Sequence, residues 1–187
     1  MCKFLTDKAI TQQLDDKGMY KVLSNELFKD VDGSIYLVWC GFETDNFTWI
    51  NSGDWDIRCS HLHDVGCKYH QIVRVKLTEY ALRSRRLLFV HHNQIVCRNI
   101  PSKYLEAVDV TGFEINNIFY RMLKASGAPK YVQLAYRAGV SLNLNWFLTG
   151  KEKIDLKQIY DEDWNKSKPK KSFKGTFAQI FHSKPSV

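Results

Sequence analysis

The spacing of apolar and polar residues predicts two β-hairpins. Residues 20–28 (YKVLSNELF) and 34–42 (SIYLVWCGF) are rich in β-branched and aromatic side chains, as strands are. The polar segment between them contains Asp32-Gly33, a dipeptide typical of tight turns, so the two runs are predicted to pair. A second hairpin is predicted over residues 86–98, where His92 and Asn93 separate two apolar runs.

Apolar residues at helical spacing predict one helix over residues 58–70 and a helical hairpin further along the chain. In the first helix, one apolar stripe comprises Leu62, Val65, Tyr69 and Ile72. In the hairpin, residues 113–123 repeat apolar side chains every three or four positions, and Gly127 is predicted to end that helix in a left-handed conformation. Pro129 suits the first turn of the next helix. The buried face of this second helix is predicted to comprise Tyr131, Leu134, Ala135, Ala138, Leu142 and Trp146.

These elements predict an α+β fold, in which a small antiparallel sheet of hairpins packs against a helical hairpin. The pattern loosens near residue 150, so a single domain is predicted over residues 1–150 and an extended basic tail over 151–187. A thinner apolar pattern over residues 4–14, with Thr6 and Asp7 as caps, predicts one further short helix. With 187 residues, of which 44% are hydrophobic, the chain can bury a core without disulfide bonds.

The net charge of +7 is concentrated in the tail. Residues 165–187 contain six lysines and no acidic residue, which leaves 21 basic and 20 acidic residues in the rest of the chain. A general nucleic-acid surface on the folded domain is therefore not expected. Contact with nucleic acid is predicted through the tail lysines only.

The tail also contains an apolar docking segment over residues 173–181. Its four large apolar side chains recur at i, i+4, i+7 and i+8 and are Phe173, Phe177, Ile180 and Phe181. The lysines that precede the segment repel one another and keep the linker extended; they include Lys168, Lys170 and Lys171. Because burial stabilises such a stripe, it is expected to bind a partner protein. The alternative is that it folds back onto its own domain.

Composition also limits the compartment and the chemistry. Five scattered cysteines make a poor disulfide framework and predict free thiols in a reducing compartment. The first residues lack the order of a signal peptide and no apolar run of about 18 residues occurs, so cytoplasmic synthesis without membrane contact is expected. Phosphate-binding loops, dinucleotide fingerprints, serine elbows and HExxH motifs do not occur in the sequence.

Three motifs carry a family resemblance: GFETD at residues 41–45, HD eighteen residues later at 63–64, and a helical hairpin ending in YRAGVSLNLNW at 136–146. Together they resemble a largely bacteriophage-encoded family known as domain of unknown function 1353. The resemblance covers residues 23–146 and implies a phage or prophage context rather than a reaction. Where the family has the pair A-D, this chain has Asn116 and Asn117, so that carboxylate is replaced by an amide.

The polar motif residues Asp45, His63 and Asp64 are expected to converge, because the end of a strand can face the start of a helix. A carboxylate can orient a histidine that acts as a general base, and His63 with Asp64 could bind a divalent metal. The alternative is a structural network in which Asp45 accepts backbone hydrogen bonds and His63 donates to Asp45. Both interpretations predict that Asp45 and His63 lie within hydrogen-bond reach.

A structural zinc site is not expected from the sulfur and imidazole side chains of the first helix, Cys59, His61, His63, Cys67 and His70. Ligands spread over three turns of a straight helix cannot converge on one ion, and no CxxC pair completes a set. A packing stripe is the simpler interpretation.

The leading functional expectation is a phage-encoded structural or assembly protein, associated with the tail or the particle, whose C-terminal tail binds other phage proteins. One alternative is a metal-dependent hydrolase of cell wall or nucleic acid built on Asp45, His63 and Asp64. Another is a binding protein that counters host defences. No cofactor is expected, apart from a divalent metal in the hydrolase. The leading expectation implies residence in the host cytoplasm during synthesis and in the virion afterwards.

Overall fold

A five-stranded antiparallel sheet forms the central layer of the protein. The computed structural model describes residues 1–15, 18–44, 57–141 and 152–159. The strands of the sheet are β1 (Lys3–Phe4), β4 (Glu26–Lys29), β5 (Ile35–Val38), β7 (Gln71–Val75) and β10 (Leu105–Asp109). They are neighbours in that same order, and each pairs antiparallel with the next.

Five further strands form two more antiparallel sheets. A three-stranded sheet contains β2 (Thr11–Gln13), β3 (Tyr20–Val22) and β6 (Glu43–Thr44), and a hairpin contains β8 (Leu88–His91) and β9 (Gln94–Cys97). A short 3-10 helix, Ser102–Tyr104, precedes β10.

Helices cover the central sheet, which is buried on both faces. They are α1 (Arg58–Tyr69), α2 (Glu79–Ser84), α3 (Gly112–Ala125), α4 (Lys130–Ser141) and α5 (Leu156–Ile159). Helices α1 and α3 pack on the face of the sheet that presents Phe28 and Val38. Since successive strand residues point to opposite faces, Leu27 and Leu37 project to the other side and pack with Leu82 of α2.

The structure confirms the α+β class and both predicted hairpins. Strands β4 and β5 pair through a turn in which Gly33 has φ of +89°, and β8 and β9 pair through His92 and Asn93, with φ of 47° and 61°. Helices α1 and α3 occur where helices are predicted, and Gly127 follows α3 with φ of +79°. A glycine adopts this left-handed backbone without steric cost, which explains why α3 ends there.

The helix predicted over residues 4–14 is wrong. Phe4 belongs to β1, where it is the register partner of Phe28 and their ring centroids lie 5.3 Å apart, and residues 11–13 form β2. The run over residues 20–28 is divided between β3 and β4, which belong to different sheets. In each case pairing with a distant strand overrides a weak local pattern.

Strands β7 and β10 are missing from the prediction. Ile72, predicted to extend the stripe of α1, lies instead in β7, because His70 ends the helix with φ of 51° and donates its backbone N–H to Gly66 O. Strand β10 then pairs with β7 along its full length, from Leu105 opposite Val75 onwards. The break between α1 and β7 is too short to show in a periodicity pattern.

The predicted buried face of α4 is also wrong in the part of the helix that the structure describes. Four of its residues are exposed: Tyr131 (70%), Leu134 (61%), Ala135 and Ala138. The side chains that face the core are Val132 and Tyr136, and the Tyr136 ring meets that of Phe119 in α3 edge to face at 5.7 Å. Leu142 and Trp146 lie outside the described residues. The described part of helix α4 therefore has two apolar stripes, of which one is buried and the other is largely exposed.

The last described segment lies against the edge strand β10. Lys153 Nζ is 2.9 Å from Asp109 Oδ1, and the backbone N–H of Ile154 donates to Gln71 Oε1 at 3.0 Å. Gln71 Nε2 also donates to Asp109 at 2.8 Å. These bonds fix residues 152–159 beside the sheet.

Candidate functional site

His63 is buried between α1 and α3 and bonds to an amide. It is 5% exposed, and its Nε2 lies 3.0 Å from Asn116 Oδ1. Because an amide oxygen only accepts, Nε2 carries the proton, and Cys67 Sγ lies 3.7 Å from Nδ1 and 3.8 Å from Nε2. Burial lowers the pKa of His63, and the hydrogen bond that its Nε2 donates to Asn116 Oδ1 offsets only part of this effect, so His63 is neutral at pH 7.

Asp64 forms its hydrogen bond with Thr44 and not with its neighbour His63. Its Oδ2 accepts a hydrogen bond from the Thr44 hydroxyl, which comes from β6. Its Oδ1 is 4.0 Å from His63 Nδ1, which is beyond hydrogen-bond range. The Asp64 side chain is 25% exposed, whereas His63 is closed in by α3. Asp64 therefore does not orient the His63 imidazole directly.

The motifs that carry the sequence resemblance nevertheless meet in space. Thr44 of the first motif bonds to Asp64 of the second, and His63 of the second bonds to Asn116, at the position where the resemblance implies a carboxylate. Asp45 lies outside the described residues, so its predicted hydrogen bond to His63 stays a prediction.

A second buried pair, Glu26 and His61, was missed by the sequence analysis. His61 Nδ1 lies 2.9 Å from Glu26 Oε2 and 3.0 Å from Glu26 Oε1. The His61 side chain is 0% exposed and that of Glu26 is 3% exposed. Arg58 and Glu26 line the same small cavity beneath α1. A carboxylate held on an imidazole is a general-base arrangement, but both groups are closed off from solvent. The signal in the sequence was a single glutamate inside the apolar run that became β4.

A second buried carboxylate ties the β4–β5 turn to α3. Asp30 is 2% exposed and accepts two hydrogen bonds from Arg121, Nε at 2.7 Å and Nη2 at 2.6 Å. Burial raises the pKa of Asp30, but the bonds from Arg121 and from the backbone of Val31 outweigh it, so the pKa is lowered. This charged pair has a structural role.

The sulfur and imidazole side chains of α1 do not gather into a metal set. His61 faces Glu26, His63 faces Asn116, and His70 forms the helix end. Within the described ranges, no three side chains of His, Cys, Asp or Glu come together in a way that could hold a metal ion.

The α3–α4 hairpin exposes several large apolar side chains. We call Tyr131, Leu134, Ala135 and Ala138 the outer stripe of α4. Phe113 at the start of α3 is also 77% exposed. The guanidinium of Arg137 lies 5.2 Å from the centroid of the Tyr120 ring, and Lys124 Nζ lies 5.8 Å from it. Exposed aromatic and basic side chains thus occur on both helices.

Every partner-binding residue predicted in the tail lies outside the described residues: Lys168, Lys170, Lys171, Phe173, Phe177, Ile180 and Phe181. Their role stays a prediction.

The chain matches no family model, and no curated protein or solved structure matches it. None of the helices in the described ranges has the length and apolar character that crossing a bilayer requires. The class that the fold defines is therefore an α+β domain, built on a central antiparallel sheet with a helical hairpin on one face.

Proposed function

We propose that this protein is a non-catalytic assembly component of a bacteriophage particle, which binds partner proteins through its surface and through the tail segment 173–181. The observation that supports a binding role is the outer stripe of α4. Leu134 and Tyr131 are 61% and 70% exposed although they repeat at the spacing of a buried helix face. A contiguous exposed apolar surface is typical of an interaction site.

The candidate polar residues favour the same proposal. His63 is 5% exposed and bonded to Asn116, and His61 is fully buried against Glu26. A general base must reach a substrate proton, directly or through one water. Buried groups that satisfy one another instead hold secondary-structure elements together, as α1 is held to α3 and to β4 here.

A metal-dependent hydrolase is a second candidate, and one observation favours it. Thr44, Asp64, His63 and Asn116 come from three separate segments and form two adjacent contacts. If this cluster acts in hydrolysis, replacing His63 with glutamine abolishes release of labelled fragments from cell wall or nucleic acid in the presence of Zn²⁺, Mn²⁺ or Mg²⁺. Absence of any such release by the original chain removes the candidate.

The assembly proposal is tested by incorporation into particles. The full chain and the variants Leu134→Ser and Phe177→Ser/Phe181→Ser are expressed during infection, and purified particles are quantified by mass spectrometry. Burying one such side chain stabilises an interface by roughly 1.5–3 kcal/mol, so each variant is expected to lower incorporation by about tenfold or more.

The matched control is Val90→Ser, because Val90 is 65% exposed on β8, much as Leu134 is on α4. Val90→Ser is expected to incorporate normally, and none of the variants should change the melting temperature. Particles that lack the original chain, or normal incorporation of both test variants, would contradict the proposal.

A further inference from the structure

The segment over residues 80–105 contains no acidic residue. It includes most of α2, the whole β8–β9 hairpin and the 3-10 helix that precedes β10. Its five basic residues are Arg83, Arg85, Arg86, Arg98 and Lys103. The nearly equal totals of basic and acidic residues outside the tail therefore conceal a segment whose own charge has one sign.

The acidic residues that flank this segment already have basic partners. Glu79 forms ion pairs with Arg83 and with one lysine each from β1 and β4, and Glu106 forms one with Arg74. Within the described ranges, the carboxylate that bonds to the β8–β9 hairpin is that of Asp7, which accepts the backbone N–H of Ile95. Four exposed basic residues form no ion pair with any carboxylate that the structure describes, and we call Arg85, Arg86, Arg98 and Lys103 the unpaired cations.

The β8–β9 hairpin has a core face and a solvent face. Leu88 and Cys97 are register partners, and both belong to the apolar cluster beneath the hairpin. The pairing continues beyond β9, since the backbone N–H of Arg98 donates to Leu87 O at 2.8 Å. Because successive strand residues point to opposite faces, the solvent face of the hairpin comprises Phe89, His91, Val96 and Arg98.

Aromatic rings lie beside three of the unpaired cations. The guanidinium carbon of Arg98 is 4.6 Å from the centroid of the Phe89 ring. Arg85 Nη1 donates to the Tyr104 hydroxyl at 3.0 Å, and Lys103 Nζ is 5.0 Å from the centroid of the same ring. Guanidinium groups bind phosphate, and both aromatic rings and guanidinium planes stack on nucleic-acid bases. This part of the surface therefore combines the two kinds of group that bind single-stranded nucleic acid.

Arg86 supplies a second, independent observation. It ends α2 in a left-handed conformation with φ of 55°. The backbone N–H of Arg86 donates to Arg83 O and that of Leu87 to Leu82 O, the pair of bonds that typically closes a helix. Glycine adopts this backbone without steric cost, whereas arginine is strained in it. Arginine at a position where the fold prefers glycine favours a role for its side chain in binding.

We infer that the solvent face of the β8–β9 hairpin, together with the unpaired cations, binds single-stranded nucleic acid. Phosphates would meet the cations, and bases would stack on Phe89 and His91. A duplex fits less well, because its bases stack on one another, and an acidic peptide brings carboxylates but no base to stack. The inference goes beyond the assembly role and does not depend on it. It differs from the expectation that only the tail lysines contact nucleic acid, because a total charge does not show how the charges are distributed.

Fluorescence anisotropy with labelled strands tests the inference. The protein is a full-length variant in which the six lysines of residues 165–187 are replaced by glutamine, so that the tail contributes no lysine charge. The probes are single strands of about 12 thymidine nucleotides, as DNA, or uridine nucleotides, as RNA, a length typical of such sites. At least one of the two is expected to bind about tenfold more tightly than a DNA duplex of that length and than a glutamate peptide of equal charge. Four phosphate contacts predict that the logarithm of the association constant falls with the logarithm of the salt concentration with a slope of about −3.

Three variants in this background separate stacking from phosphate contacts. Phe89→Leu removes a ring but stays apolar, and it is expected to weaken binding by about tenfold without changing the salt slope. Arg98→Ala removes one phosphate contact, so the slope should become less steep by about 0.7 and the affinity at 0.1 M salt should fall by about fivefold. Arg86→Gly should have the same effect on binding as Arg98→Ala. It should also raise the melting temperature, because it relieves the left-handed backbone, so its weaker binding could not result from unfolding.

The matched control is Lys124→Ala. Lys124 is exposed and its Nζ is 5.8 Å from the centroid of the Tyr120 ring, but it belongs to α3, which packs on the other side of the central sheet. This variant is expected to bind single strands normally.

Several results would overturn the inference. If the variant without tail lysines bound neither single strand, the tail alone would account for any binding. Equal or tighter binding of the glutamate peptide would indicate an acidic protein as the partner, and equal or tighter binding of the duplex would exclude base stacking. Normal binding by Phe89→Leu or Arg86→Gly, or a loss in Lys124→Ala as large as in Arg98→Ala, would show that the hairpin is not the site.

Discussion

The contact between α1 and α3 at Gly66 gives a quantitative test of the packing around the candidate site. Gly66 is a buried residue of α1, one turn from His63. A Cβ added at Gly66 would lie 2.6 Å from Ile115 Cδ1, closer still to Cγ1, and 3.2 Å from Ile115 Cβ. Ile115 is 1% exposed in α3, so any shift of its side chain disturbs the packed core. We therefore expect Gly66→Ala to destabilise the fold.

Two opposing effects set the change in the free energy of unfolding that Gly66→Ala causes. Alanine is better than glycine in a helix interior by about 1 kcal/mol, because glycine loses more backbone entropy on folding. Overpacking a filled core costs about 1–3 kcal/mol. Rotation of the Ile115 side chain can relieve the contact with Cδ1, but its Cβ is fixed by the backbone of α3. The overpacking cost therefore lies in the upper part of its range, and the net loss in the free energy of unfolding is about 1–2 kcal/mol.

Urea unfolding followed by circular dichroism measures this loss, and the melting temperature should fall by about 2–8 °C for a chain of this length. Ile115→Ala supplies the control, since it removes Cγ1 and Cδ1. In that background Gly66→Ala should be neutral or stabilising by up to about 1 kcal/mol. A Gly66→Ala variant that is more stable than the original chain would refute the close approach of α1 and α3.

Two further predictions concern the buried polar groups. Arg121→Met leaves the Asp30 carboxylate buried without its cation, and we expect a loss of about 3 kcal/mol in the free energy of unfolding, measured by urea denaturation; a loss below about 1 kcal/mol would place the pair with weak surface ion pairs. Burial lowers the pKa of His63 in the folded state, and the hydrogen bond to Asn116 opposes this only in part. The unfolded chain therefore binds a proton at a higher pH than the folded chain does, so the stability that neutral His63 contributes is complete above its ordinary pKa of about 6.5 and is lost as the pH falls below it. Urea unfolding at a series of pH values should show a smaller decline in His63→Gln than in the original chain, and equal declines would contradict the assignment.

Sequence reasoning succeeded where a local signal is sufficient. His92-Asn93 is flanked by apolar runs, and asparagine tolerates the left-handed backbone, so the β8–β9 turn could be predicted from a few residues. Gly127 ends α3 for an equally local reason. By contrast, β1 exists because Phe4 meets Phe28, a contact across 24 positions that periodicity does not report. Residues with weak local patterns take their structure from such distant partners.

In the candidate site too, local signals could be predicted from the sequence and distant contacts could not. Sequence motifs identified His63 and Asp64 as candidates but could not show that they bond to different residues, Asn116 and Thr44, since that depends on which elements pack beside α1. Glu26 was overlooked because a glutamate in a strand is ordinarily exposed. It is buried here because the central sheet is covered on both faces, and His61 supplies the hydrogen bonds that a buried carboxylate requires.

Helix α4 shows why an error in predicting burial can be informative. Apolar residues at helical spacing occur on two faces of α4, one with Val132 and Tyr136 and one with Tyr131 and Leu134. The sequence alone does not show which of the two faces is buried. The stripe with the larger exposed aromatic and aliphatic groups remains in solvent. Leaving such groups in water forgoes roughly 25 cal/mol for each Å² that a partner could cover. Polar residues at the same positions would support the helix equally well, so these apolar side chains favour the proposed interface, which incorporation of Leu134→Ser into particles tests.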